Sequence, residues 1–106
     1  MKKFNKLVRD RIPEIIESTG QIAHVKILED EEYLFELEKK LDEEVGEYHR
    51  DKNLEELADI LEVVYALADE IGSREELLAI YNKKHDARGG FKKRYFLVCA
   101  SDEECE

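Results

Sequence analysis

Apolar side chains recur every three or four residues along two adjacent stretches of the chain. Leu34, Leu37, Leu41, Val45 and Tyr48 form one stripe; Leu57, Ile60, Leu61, Val64, Leu67, Ala68 and Ile71 form the next. Side chains at that spacing share one face of an α-helix, so both stretches read as amphipathic helices with a buried side. The first is predicted from about Glu31 to about Arg50, with Asp30 as its cap and acids in the first turn, where the helix dipole favours them. Asp51-Lys52-Asn53 interrupts the pattern, Asn53 suits the N-cap of a second helix beginning at Leu54, and Gly72 closes it. So short a connection makes the two helices an antiparallel pair.

The flanking segments carry weaker periodicity. Pro13 suits the first turn of a short helix through Glu17 that Gly20 ends. Ser73 caps a further helical segment with Leu77, Leu78, Ile80 and Tyr81, which leads to Lys83, Lys84 and Arg88 and stops at Gly89-Gly90. Residues 21–28 and 94–100 are apolar runs without helical spacing, and they are predicted to pair as a short two-stranded β element. Residues from about 101 to 106 form an acidic tail expected to fray. The expected fold class is therefore mainly α, an antiparallel helix bundle in a single domain over residues 1–106.

Composition narrows the partners. Hydrophobic and charged residues each make up 42% of the 106 residues, too apolar for disorder and too charged for a thick interior, so thin helices are expected to leave apolar area over. A second copy of the chain would cover that area, which points to a homodimer or homotetramer, and Phe35, off its helix's stripe, is placed at such an interface. The net charge of −10 argues against nucleic acid or an anionic membrane as the main partner. No long apolar run or signal-type segment is present, so the cytoplasm is the expected location. Cys99 and Cys105 match neither a disulfide framework nor zinc spacing and are expected to be free thiols.

Five acids stand out by their position on the helical wheel. Glu43, Glu44 and Glu47 lie on the first helix of the pair, Glu56 and Asp59 on the second. At about 100° per residue, Glu44 falls about 60° from the centre of its apolar stripe, and Glu56 and Asp59 fall at and just beyond the edge of theirs. Glu44 with Glu47, and Glu56 with Asp59, stand one turn apart on shared faces. Any one such pair in a chain with 27 acids would ordinarily line a solvated face. Two pairs at the facing edges of neighbouring helices are different, because half-buried carboxylates repel one another unless a cation offsets their charge. Oxygen-only ligands at this spacing suit Mg²⁺, with Mn²⁺ as the other candidate, and no Cys or His is placed to favour zinc.

Glu43-Glu44-Val45-Gly46-Glu47 followed by Glu56-Leu57-Ala58-Asp59 resembles the EExxE…ExxD signature of the MazG-like, all-α nucleoside triphosphate pyrophosphohydrolases. Asn5-Lys6-Leu7-Val8-Arg9-Asp10-Arg11-Ile12-Pro13 and Arg88-Gly89-Gly90-Phe91 are similar to a small branch of that family, the phosphoribosyl-ATP pyrophosphohydrolase-like proteins. The resemblance spans nearly the whole chain. It departs in the interval from Glu47 to Glu56, eight residues, which is shorter than in many members and removes loop residues that would select the base.

What the resemblance implies is a helical homo-oligomer that holds Mg²⁺ at Glu44, Glu47, Glu56 and Asp59 and cleaves a nucleoside triphosphate between its α and β phosphates, leaving a monophosphate and pyrophosphate. Glu43 would orient or deprotonate the attacking water. Lys84 and Arg88 would bind phosphate, with Asn82 assisting, or else stabilise a helix end. Lys6, Arg9 and Arg11 would reach phosphates or base, or else Arg9 would pair with a neighbouring acid. His24, His49 and His85 are isolated and read as surface or capping residues. Other functions compatible with the same residues are phosphoribosyl-ATP hydrolysis, a non-catalytic Mg²⁺-dependent nucleotide-binding module, and a helical interaction protein whose acids only solubilise it.

Overall fold

The computed structural model describes residues 2–105. Among them are four helices: α1 (Ile12–Ser18), α2 (Asp30–Asp51), α3 (Leu54–Ile71) and α4 (Arg74–Arg88). The chain divides into two compact units, Met1–Arg74 and Glu75–Glu106. No helix among the described residues is long and apolar enough to cross a membrane.

In the first unit the mainly α class holds, and helix boundaries fall within a residue or two of those expected from the stripes. Pro13 occupies the first turn of α1, and Gly20, with φ of 91°, follows the helix end. α2 begins at Asp30 rather than after it; its N-cap is Glu29, and Asp30, Glu31 and Glu32 supply negative charge to the first turn. At the other end Lys52 adopts the left-handed conformation (φ 48°, ψ 51°) and its amide donates to the Tyr48 carbonyl at 2.7 Å, which turns the chain sharply. The next residue, Asn53, is the N-cap of α3, its side-chain oxygen accepting from the Glu56 amide at 2.9 Å. Only Lys52 and Asn53 separate the helices, so the last turns of α2 lie against the first turns of α3.

The core of this hairpin is thin. Leu37, 3% exposed, is the most hidden apolar residue, joined by Val63 and Ala68. Leu34, Leu41, Val45, Tyr48, Ile60, Val64 and Leu67 are half-buried, while Leu54, Leu57, Leu61 and Ile71 are exposed. The apolar arc of α3 is thus wider than α2 alone covers. Arg74 adds a lid over one edge, its guanidinium stacked 3.7 Å from the Tyr65 ring centre. Leu37→Ala should cost roughly 2–3 kcal/mol, the low end of the range for buried leucines, because so open a core collapses easily around the gap. The midpoint of urea unfolding measures it; an unchanged midpoint would mean that the hairpin is not held by this contact.

The predicted β element is absent: residues 21–28 and 94–100 contain no strand. Ile22, Val25 and Ile27 in the first segment, and Tyr95, Phe96, Leu97 and Val98 in the second, are exposed, Ile27 to 97%. Apolar, β-capable side chains favour a strand only where a paired backbone and a packed face reward it, and a lone two-stranded pairing has neither.

In the second unit α4 ends where Gly89, with φ of 79°, donates its amide to the His85 carbonyl at 2.7 Å. Leu77 is half-buried, and from Leu78 to Cys105 every described residue is exposed. Residues 101–105 of the predicted frayed tail have no helix or strand, and Glu106 lies outside the described residues. The Cys99 and Cys105 sulfurs are in contact, with Cα atoms 6.3 Å apart, a separation a disulfide spans. Two independent free thiols are therefore not what the structure holds.

Candidate metal centre

The two-residue turn between α2 and α3 determines which side chains meet. Within two turns on either side of it, Glu44 and Glu47 of α2 come together with Glu56 and Asp59 of α3. One carboxylate oxygen from each of Glu44, Glu47, Glu56 and Asp59 lies within 4.8 Å of every other. Facing oxygens across a Mg²⁺ ion stand about 4.2 Å apart, and across the larger Ca²⁺ up to about 5 Å, so a single divalent ion spans this set. The donors are all carboxylate oxygens, hard ligands that suit Mg²⁺, Mn²⁺ or Ca²⁺ rather than zinc. The cluster can hold a metal ion.

Two orphaned atoms support the same conclusion. Glu44 is 7% exposed, and its Oε2 has no hydrogen-bond partner; neither does the buried Oε2 of Glu56. A buried carboxylate oxygen without a donor costs free energy that a bound cation would return. Burial pushes the Glu44 carboxyl up from its ordinary range, helped by a hydrogen bond and charge repulsion from Glu47, and opposed by the Lys40 ammonium. Desolvation also raises Glu56, followed by the charges of Glu47, Asp51 and Asp59 and a hydrogen bond with Glu47. Both carboxyls are held towards their protonated forms by burial first, and then by the negative charge of their neighbours.

Basic residues surround the cluster without filling it. Arg9 donates from Nη2 to Asp59 Oδ1 at 2.7 Å, so of the two roles open to Arg9 the structure displays pairing with a neighbouring acid. Lys6 Nζ lies 3.5 Å from Glu43, and the N-terminal arm is thereby tethered to α2 through Lys6 and to α3 through Arg9. Glu43 stands outside the four-acid set and also meets Lys40 at 3.4 Å. Arg11 instead pairs with Glu14 at 3.0 Å, within its own end of α1. Asn82, Lys84 and Arg88 are exposed on α4 in the second unit.

Sequence reasoning passed over Lys40. Its ammonium is 3.4 Å from Glu44 Oε1 and 3.4 Å from Glu43 Oε2, and only 17% of the side chain is exposed. A signal was present: Lys40 precedes Glu44 by one helical turn, about 40° away on the wheel, and so shares its half-buried position. Beside it a cleft of about 240 Å³ is walled by Asn5, Lys6 and Leu7 of the arm and by Glu36, Lys39, Lys40 and Glu43 of α2. A larger depression of about 480 Å³ at the start of α2 is lined by Glu29, Glu31, Glu32 and Phe35, an acidic surroundings ill suited to a phosphate.

No family model matches the chain, and no solved structure matches it. A curated protein of Mycolicibacterium smegmatis, described as an uncharacterized protein, is 54% identical over 41 residues, which are 39% of this chain and 42% of that relative. The chain thus matches less than half the length of this curated relative, and the likeness is one of sequence in a segment, without an activity attached.

Proposed function

We propose that the protein is a divalent-metal-dependent nucleoside triphosphate pyrophosphohydrolase that uses Mg²⁺ or Mn²⁺ and cuts between the α and β phosphates. The observation that carries this is the convergence of Glu44, Glu47, Glu56 and Asp59 within 4.8 Å, with two buried oxygens left without partners. The resemblance of these acids and their flanking segments to MazG-like enzymes supports the choice of substrate class.

When bound, the ion neutralises phosphate charge and makes a coordinated water easier to deprotonate. The four acids would hold it from two rigid helices, so little reorganisation is required as charge develops on the phosphate. Glu43 sits next to Glu44 in the chain but outside the ligand set, and there it would orient the attacking water or accept its proton; its ties to Lys6 and Lys40 would have to loosen as it does so. Lys84, Arg88 and Asn82, which the resemblance implies at the phosphates, lie on α4 in the second unit.

The direct test is pyrophosphate release by the purified chain from a panel of canonical, deoxy and modified nucleoside triphosphates and phosphoribosyl-ATP, with Mg²⁺, Mn²⁺ and Ca²⁺ in turn. A metal-dependent release from at least one substrate, with the nucleoside monophosphate as co-product, is expected. Metal-dependent nucleotide binding with no product across the panel would replace the enzyme by a binding module. Phosphate in place of pyrophosphate would refute the proposed bond.

A further inference from the structure

We infer that Lys40 and Arg9 are resident counterions of the acid cluster, displaced from Glu44 and Asp59 when a divalent ion binds, and that Lys40 so released forms with Lys6 and Lys39 a phosphate-binding wall beside the metal. The displacement rests on the ion pairs alone. The identity of the anion rests on the proposed pyrophosphohydrolase activity.

The geometry begins with which atoms are taken. Lys40 occupies Glu44 Oε1, and Arg9 occupies Asp59 Oδ1, oxygens of two of the four acids that converge. A divalent ion drawn to the free Oε2 of Glu44 shares that carboxylate with Lys40 on Oε1, and the two cations repel across the shared group, which loosens the singly charged one. The Lys40–Glu44 pair is not an ordinary surface pair along a helix, whose contribution is small, whereas the Arg9–Asp59 pair is partly exposed. Most of the Lys40 side chain is hidden, and Glu44 is among the few buried residues of the chain. The metal-free cluster therefore carries part of its own neutralisation.

Lys40 already borders the cleft where Lys6 and Lys39 also lie. Three ammonium groups face two carboxylates there, Glu36 and Glu43, and the metal removes the influence of Glu44. The cleft turns from balanced to positive only after the ion is in place. Its 240 Å³ is below the roughly 300–1,000 Å³ of pockets that enclose a whole drug-sized ligand, so it suits a phosphate group rather than an entire nucleotide. Binding would then be ordered, metal first and anion second, which prevents free phosphate from occupying an unloaded site.

Calorimetric titration of the full chain with Mn²⁺, with and without inorganic phosphate, tests this, using wild type, Lys40→Met and Arg9→Gln. Each substitution removes a competitor, so Mn²⁺ should bind about 3- to 30-fold more tightly, within the range over which neighbouring charges couple. Phosphate should tighten Mn²⁺ binding to wild type and have lost most of that effect in Lys40→Met. Were these residues merely structural, both variants would bind Mn²⁺ more weakly and melt earlier. Arg9 lies on an exposed arm, so its variant reports even if Lys40→Met folds poorly. Unchanged or weaker Mn²⁺ binding in folded variants overturns the counterion assignment while leaving the pyrophosphohydrolase proposal standing; no Mn²⁺ binding to wild type overturns both.

Discussion

Glu44→Gln is expected to reduce metal-dependent pyrophosphate release by about 100- to 1,000-fold, equivalent to roughly 3–4 kcal/mol of lost transition-state stabilisation. The amide keeps the shape of the carboxylate and one acceptor oxygen but removes the charge from the most buried of the four ligands. Much of the loss should enter through metal affinity, so the Mn²⁺ concentration giving half-maximal rate should rise and excess Mn²⁺ should recover part of the activity. Asp59→Asn should act in the same direction but more weakly, because Asp59 is more exposed and is already shared with Arg9. Unfolding is not an alternative cause for Glu44→Gln. The variant relieves repulsion with Glu47, its new N–H group can donate to the Glu47 carboxylate, and Lys40 retains Glu43. A Glu44→Gln protein with wild-type rates at limiting Mn²⁺ would remove Glu44 from the site.

The parts of this site that could be read in the amino-acid order are those governed by local rules. Helical periodicity placed Glu44 beside Glu47, and Glu56 beside Asp59, from sequence spacing alone. The break at Asp51-Lys52-Asn53 then fixed the register, since a turn of two residues leaves the helices no choice about which turns face each other. Glu43, about 100° from Glu44 on the helical wheel, falls outside the four-acid set. What escaped depends on distance in the chain or on knowledge of burial. The Arg9 to Asp59 pair joins residues 50 apart, and no periodicity distinguishes it from an arm that reaches for a ligand. Lys40 shares the half-buried side of Glu44 on the helical wheel, but spacing alone does not separate it from a solubilising lysine on so charged a helix. The apolar run at 21–28 failed as a strand because its composition records a preference, whereas a strand also needs a neighbour.

Without divalent ions, the protein should become less stable as pH rises above about 4.5 towards the raised values of Glu44 and Glu56, and Mn²⁺ should reverse the loss. Glu44 and Glu56 both hold their protons more tightly when folded than the ordinary value of 4.5 implies for the unfolded chain. Between that value and the raised ones the native state binds more protons than the unfolded state, so unfolding free energy falls with increasing pH; above the raised values the loss is complete. A metal ion competes with those same protons, so its stabilising effect must grow across the same interval. At about 100 times the dissociation constant it contributes about 2.7 kcal/mol. For a domain of this size that corresponds to a Tm increase on the order of 10–20 °C. Thermal melts in chelator and in Mn²⁺, repeated from pH 4.5 to 8, measure both slopes, and the difference between wild type and Glu44→Gln isolates the cluster from the remaining acids. Glu44→Gln should be the more stable protein in chelator at pH 8 and should gain little from Mn²⁺. Metal stabilisation that is equal at both ends of the pH range, or a chelator-treated wild type that outlasts Glu44→Gln at pH 8, would show that these carboxylates are neither crowded nor competing with protons for a cation.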